Sequence, residues 1–272
     1  MAEVTSPWRG RRVLVTGCTG FLGGAVAREL FARGADVVGL VNERPAADIF
    51  GPDQGGRVHL VRGRTDNVFR LHSAMAVHEV AAVFHLAAHD PFGEDRGTGA
   101  VLQAAKLYSR RVPVVTARPL QQLTLARTEE RDDRLRVARF GEVFGPGDRK
   151  LFRVVPATAL GLITGDATTP PDGPARDFVF VRDAARACLL AAEAAPGDYI
   201  FRSGNLLTDR QMCAAVRAVY ACNPVEVPDA APVSNPLGWA PQQPLAEALE
   251  ETLAWYRAFL QAGCAVPVRA AA

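Results

Sequence analysis

Apolar positions along the first half of the chain fall into two alternating patterns. RVLVT (12–16) is apolar at nearly every position, as expected of a strand buried on both faces. After a glycine turn, FLGGAVARELFARG places Phe21, Leu22, Val26, Leu30 and Phe31 at helical spacing, and Gly34 supplies the stop. ADVVGLV (35–41), VHLVR (58–62), VAAVFHLAA (80–88), VPVVT (112–116) and RLRVARF (134–140) read as further strands. GAVLQAAKLYSRR (99–111) reads as a helix, and PLQQLTLARTEERDD (119–133) as another opened by its proline, with TEERDDR (128–134) a solvated end. Strands alternating with helices of this length predict a parallel sheet covered by helices on both faces.

Beyond about residue 141 the pattern loosens. FGPGDR and GDATTPPDGPARD are glycine- and proline-rich loops around one short helix near 152–161. FVFV (178–181) and RDAARACLLAAEA (182–194) resume the strand–helix rhythm. Thr208 and Gln211 form a capping box for a helix reaching Tyr220. In the tail, Leu245, Leu249, Leu253, Tyr256 and Leu260 share one helix face.

Composition excludes several classes. The chain has 272 residues, 49% of them apolar, and a net charge of +2, so it can bury a core and offers no general attraction for nucleic acid. No run of 18 apolar residues suits a membrane span, and MAEVTSPWRGRR lacks the apolar stretch of a signal peptide. Cys18, Cys188, Cys213, Cys222 and Cys264 are widely spaced without a CxxC pair, and the five histidines include no HExxH. A cytoplasmic protein without disulfides or a structural metal is expected. Of 31 basic residues only Lys106 and Lys150 are lysine.

The strongest chemical signal is VLVTGCTGFLGG. Gly17, Gly20 and Gly23 stand between the first strand and the first helix. There they permit a tight turn and a close backbone approach, and the helix end offers N–H groups to a pyrophosphate. A dinucleotide cofactor is expected, with Thr19, Phe21 and Leu22 in the same loop. Its kind is open between NAD and NADP. Val41 stands where an acid would hold the ribose, followed by Asn42, Glu43 and Arg44, and Arg44 tips the reading slightly to NADP.

These motifs give the chain a resemblance to the extended short-chain dehydrogenase/reductase family, within it the nucleotide-sugar epimerases and dehydratases of the CDP-glucose 4,6-dehydratase-like branch. The matching segments are TGCTGFLGG, VVGLVNERP, VRGRTDN, VFHLAA, FGEVFGPGDR, GPARDFVFVRDAARA and LGWAPQQPLAEALEETLAWYR. The resemblance implies a Rossmann-type doubly wound parallel α/β sheet over 1–150, completed by about 176–202. It also implies a small C-terminal substrate lobe from 151–175 and 203–272. It places Leu86, Ala87 and Ala88 beside the cofactor ribose and Asp66 or Asn67 near the adenine. Arg176 would reach a nucleotide-sugar phosphate, with an ion pair to Asp177 or Asp172 as the alternative. No nucleic-acid, membrane or metal partner is implied; a homodimer or pairing with an active homologue is.

The chain also departs from the family. The resemblance implies a Tyr-x-x-x-Lys pair on one helix face, plus a Ser or Thr ending the preceding strand. Here the residues four beyond Tyr108, Tyr199, Tyr220 and Tyr256 are Val112, Ser203, Pro224 and Leu260. Four before Lys106 and Lys150 stand Leu102 and Pro146, so the pair occurs nowhere. Leu120 and Thr124 fall about where it would be, because strand VPVVT runs through Ala117 and Arg118 straight into the next helix. The family's NVYGPG stretch reads Glu142-Val143-Phe144-Gly145-Pro146-Gly147, turning an amide that would face a substrate phosphate into a carboxylate. The GDLxD-like stretch reads Gly63-Arg64-Thr65-Asp66-Asn67.

The leading expectation is a dinucleotide-binding homologue without the family's hydride-transfer machinery. One alternative is an active epimerase, dehydratase or reductase using Thr116 and His89, the latter paired with Asp90, Glu94 or Glu142. Another is a scaffold or partner subunit with an empty cofactor cleft.

Overall fold

The computed structural model describes residues 6–42, 57–87, 96–120, 132–166, 168–228 and 232–262. The chain divides into two units, the first comprising residues 1–141, 182–201 and 234–239 and the second 142–181, 202–233 and 240–272.

The first unit is built on strands β1 (Arg12–Thr16), β2 (Asp36–Val41), β3 (Val58–Arg62), β4 (Ala82–His85), β5 (Val114–Pro119), β6 (Leu135–Phe140) and β9 (Gly197–Ile200). They form one sheet in the order β3-β2-β1-β4-β5-β6-β9, and every pair in it is parallel. This is the doubly wound order, which reverses direction between β1 and β4. Helices α1 (Phe21–Ala32), α2 (Val68–Val77), α3 (Arg96–Tyr108) and α5 (Val181–Glu193) belong to the strand–helix alternation. Leu14, Val38, Leu40, Val83, Val114, Leu135 and Val137 line one sheet face, where they pack with Leu71 and Met75 of α2 and Val101, Leu102, Ala104 and Ala105 of α3. The intervening positions Val13, Val15, Val37, Phe84, Val115 and Ala138 are equally buried. Both faces of the central strands are covered, so these strands carry apolar residues throughout instead of alternating, whereas the edge strands β3 and β9 are largely exposed.

The second unit holds a smaller sheet in which β8 (Arg176–Phe180) pairs parallel with β7 (Glu142–Phe144) and antiparallel with β10 (Leu206–Leu207). Helices α4 (Val154–Thr164), α6 (Asp209–Tyr220) and α7 (Leu245–Gln261) pack on one another. Thr208 and Gln211 form the reciprocal capping box that opens α6. On α7, Leu249, Leu253 and Tyr256 are buried.

Two expectations change. Pro119 ends β5 instead of opening a helix: it stands opposite Phe140, beyond the last β4 partner at Thr116, where a missing N–H costs no bond to β4. The helix expected over 119–133 otherwise lies largely outside the described residues. β8 does not complete the large sheet, since its partners are β7 and β10; of the span 176–202 only β9 joins the parallel strands. None of the described helices is long and apolar enough to cross a membrane.

Candidate functional site

At the carboxyl end of β1 the backbone turns through Gly17 at φ +73°, a left-handed conformation that glycine adopts without strain. A Cβ there would stand 2.6 Å from both the Leu86 carbonyl oxygen and the Ala87 nitrogen. One turn into the helix, a Cβ on Gly23 would stand 2.1 Å from the Gly17 carbonyl oxygen. Both glycines are therefore demanded by space, beyond any preference for a flexible turn. The Gly20 N–H donates to the Gly17 carbonyl at 2.8 Å and closes the loop. Gly20 is the N-cap of α1 with no side chain capping it, so the first turn presents backbone N–H groups. Thr19 and Gly20 are exposed, while Phe21 and Leu22 are half-buried.

The strand end that meets Gly17 is held by a polar pair that sequence reasoning passed over. Thr16 Oγ1 lies 2.7 Å from His85 Nδ1, and both residues are buried. Thr16 Oγ1 also accepts from the Ala87 N–H at 3.4 Å, and the Leu86 N–H donates to the Thr16 carbonyl at 3.1 Å. Thr16 and His85 are register partners, so their side chains emerge on one face. The signal was available as two polar residues at the ends of otherwise apolar strands. It was hidden because only the β1–β4 pairing brings them together.

The remaining cofactor candidates sit at neighbouring carboxyl ends. Asn42 follows β2 and is exposed. Past β3, Arg64 grips Asp66 through Nη2 at 2.7 Å and Nε at 3.1 Å, and this hydrogen-bonded pairing lowers the Asp66 pKa. The arginine that replaces an expected acid thus serves the second acid of the same stretch. Asn67 Oδ1 accepts from the Arg70 N–H at 2.9 Å and caps α2. Glu43, Arg44, Ala88, His89, Asp90, Glu94 and Thr124 lie outside the described residues.

Thr116 stands beside His85 on β5, wholly buried, and its hydroxyl has no hydrogen-bond partner among the described residues. Leu120 follows the strand, its N–H donating to the Phe140 carbonyl at 2.7 Å. Cys18 is buried beside Gly39, and burial pushes its thiol up to about 11, so it packs the loop instead of supplying a thiolate.

In the second unit Arg176 meets neither Asp177 nor Asp172. Consecutive residues of a strand point to opposite faces. Asp177 instead accepts from the Ser203 hydroxyl and from the Ser203 and Gly204 N–H groups, and burial raises its pKa. Arg176 lies on the Phe178 side, its guanidinium 5.5 Å from that ring, and pairs with Glu142 at 3.2 Å and with Asp209. Glu142 also pairs with Arg153 at 3.0 Å, and Arg153 pairs in turn with Asp148 at 3.1 Å. Arg153, at the N-cap of α4, carried no motif that marked it beforehand.

The family model described as the NAD dependent epimerase/dehydratase family matches residues 13–106 and 116–201. A Streptomyces dTDP-4-dehydro-6-deoxy-D-allose reductase is 28% identical, the alignment covering 92% of this chain and 97% of that protein. At 322 positions the alignment exceeds the 272-residue chain, so the relative carries segments that this chain lacks. The structure of Thermotoga maritima UDP-glucose 4-epimerase with UDP-glucose superposes with a TM-score of 0.74 at 19% identity, covering 92% of this chain and 99% of that one. Bordetella bronchiseptica WbmF in complex with NADH gives 0.75 at 21%, covering 94% and 95%. Reductase and epimerase both stand among these relatives, so the likeness defines ancestry and fold, not one reaction. A glycine loop closed against the β4 end, a sheet in doubly wound order and a family match over most of the chain make this protein a member of the NAD-dependent epimerase/dehydratase family.

Proposed function

We propose that the chain is an NAD(P)-binding member of this family that lacks the usual hydride-transfer machinery and acts as a non-catalytic homologue or as a subunit beside an active enzyme. The observation that carries the reading is a contrast. Gly17 and Gly23 leave no room for a Cβ, the cradle a dinucleotide loop requires, yet no tyrosine in the chain is followed four residues later by lysine. Gly17, Thr19, Gly20, Phe21, Leu22 and Gly23 would hold the pyrophosphate, Asn42 the ribose side, Asp66 and Asn67 the adenine side, and Leu86 and Ala87 the inner ribose. A dinucleotide carries a transferable hydride; here these residues would bind and orient it without transferring that hydride. Both NAD and NADP remain in the proposal, because the relatives' structures hold NAD+ and NADH while Arg44 lies outside the described residues. The substrate role is assigned to 151–175 and 203–272. A cytoplasmic location and pairing with a homologue complete the reading, the unpaired thiols of Cys18, Cys188, Cys213 and Cys222 supporting the first.

Fluorescence titration with NADH and NADPH tests it. Saturable binding of at least one is expected, together with no turnover of UDP-, dTDP- or CDP-glucose. Absence of binding would refute the cofactor reading, and turnover would refute the loss of chemistry. A second reading keeps activity and assigns it to Thr116 with His89. It is favoured by the buried Thr116 hydroxyl, which has no hydrogen-bond partner among the described residues. Under it, turnover exists and is abolished by Thr116→Val or His89→Ala.

A further inference from the structure

At the amino end of the first unit's parallel sheet, opposite the glycine loop, two histidines meet. His59 is the second residue of the edge strand β3, where alternation sends its side chain to the same face as Val61, the face that α2 covers. His78 is the C-cap of α2. The ring centroids stand 5.3 Å apart with 34° between the planes. His59 is exposed and His78 half-buried, so the pair is open to solvent ions. An exposed imidazole turns about χ2 without disturbing the packing beneath it.

Spacing and charge both suit a metal cation here. Two imidazole nitrogens bound at about 2.0–2.1 Å and about 110° apart on a tetrahedral ion put their ring centres about 5 Å from each other. The closing end of a helix carries partial negative charge, which favours a cation at His78. The fixed charges nearby cancel in pairs, Arg12 holding Glu79 at 2.8 Å and Arg57 holding Asp36 at 3.4 Å. Burial first, then His59 and Arg12, keep the His78 pKa below its ordinary 6.5, so at pH 7 that ring is largely neutral with a lone pair to give. Among the described residues no group of three or more His, Cys, Asp or Glu could hold a metal ion, so this face offers two protein ligands and water completes the shell.

We infer that His59 and His78 chelate a borderline first-row cation at a surface site, with Zn²⁺ the ion whose tetrahedral preference fits the ring spacing. Imidazole selects such ions over Mg²⁺ and Ca²⁺, which take oxygen ligands. Once one ring binds, the other is tethered beside the ion at high effective concentration, so the pair binds more tightly than either ring alone. The site lies at the far end of the sheet from the cofactor loop and does not rest on the dinucleotide reading.

Calorimetric titration of the full chain with zinc chloride at about pH 7.5 tests it, using wild type, His59→Ala and His78→Ala. Cys222→Ser is the control, because its exposed thiol is another zinc ligand. Saturable zinc binding is expected in wild type and in Cys222→Ser, and either histidine variant should bind at least about tenfold more weakly. Electron paramagnetic resonance with Cu²⁺ should read two nitrogen ligands in wild type and one in each histidine variant. Folding is followed by circular dichroism, and His59→Gln or His78→Asn replaces an alanine variant that does not fold. No saturable zinc binding by wild type, its loss in Cys222→Ser, or wild-type affinity in either folded histidine variant overturns the inference.

Discussion

Gly23→Ala sets two effects of opposite sign against each other within one helix. Alanine is the better helix former, so the exchange in an ordinary helix interior stabilises by about 1 kcal/mol. Here the added methyl would stand 2.1 Å from the Gly17 carbonyl oxygen, a backbone atom that cannot swing aside. Restoring a contact of ordinary length moves the loop by about 1 Å, and forced overpacking of this kind costs about 1–3 kcal/mol. Against the propensity gain, a net loss of up to about 2 kcal/mol is expected, along with loss of the loop geometry that a dinucleotide would need. Gly24→Ala is the internal control. Its methyl would meet the Cys18 carbonyl at 3.3 Å and the flexible Arg28 guanidinium at 3.4 Å, so propensity and crowding should nearly cancel. Urea unfolding gives the stabilities, and NADH fluorescence reports the loop. Gly23→Ala as stable as Gly24→Ala, with unchanged NADH affinity, would refute the steric reasoning.

Three further outcomes follow from the same structure. Thr16→Val keeps the volume but leaves buried His85 Nδ1 without its hydroxyl partner, and should cost about 1–3 kcal/mol in urea unfolding. Burial raises the Asp177 pKa above its ordinary 3.8, so the folded state holds that proton more tightly than the unfolded one. Its contribution to stability therefore falls as pH rises from about 3.8 through the raised value, and wild-type minus Asp177→Asn stability measured against pH should decline across that window. Alkylation at pH 8 followed by peptide mass spectrometry should modify exposed Cys222 rapidly and spare Cys18 and Cys188, whose thiols burial raises to about 11 and about 12; equal labelling would contradict the buried loop and helix.

Features that depend on neighbours along the chain were legible before folding. Short β-branched runs marked six strands of the parallel sheet, near-continuously apolar in the central ones because both of their faces are covered, and Thr208 with Gln211 marked a helix start because the two groups lie one turn apart. The glycine loop was legible for the same reason, being a strand, a turn and a helix end in direct succession. The absence of a Tyr-x-x-x-Lys pair needed only counting. Tertiary structure alone decided which distant residues meet. Thr16 and His85 share a hydrogen bond because β1 and β4 are register partners 69 positions apart. Arg176 turned from its sequence neighbour Asp177 to Glu142 and Asp209 because strand geometry sends adjacent side chains to opposite faces. β8 left the large sheet for β7 and β10 although its apolar run reads like those of β1 to β6. Strand partners and charge partners are set by long-range pairing and burial, which no local pattern encodes.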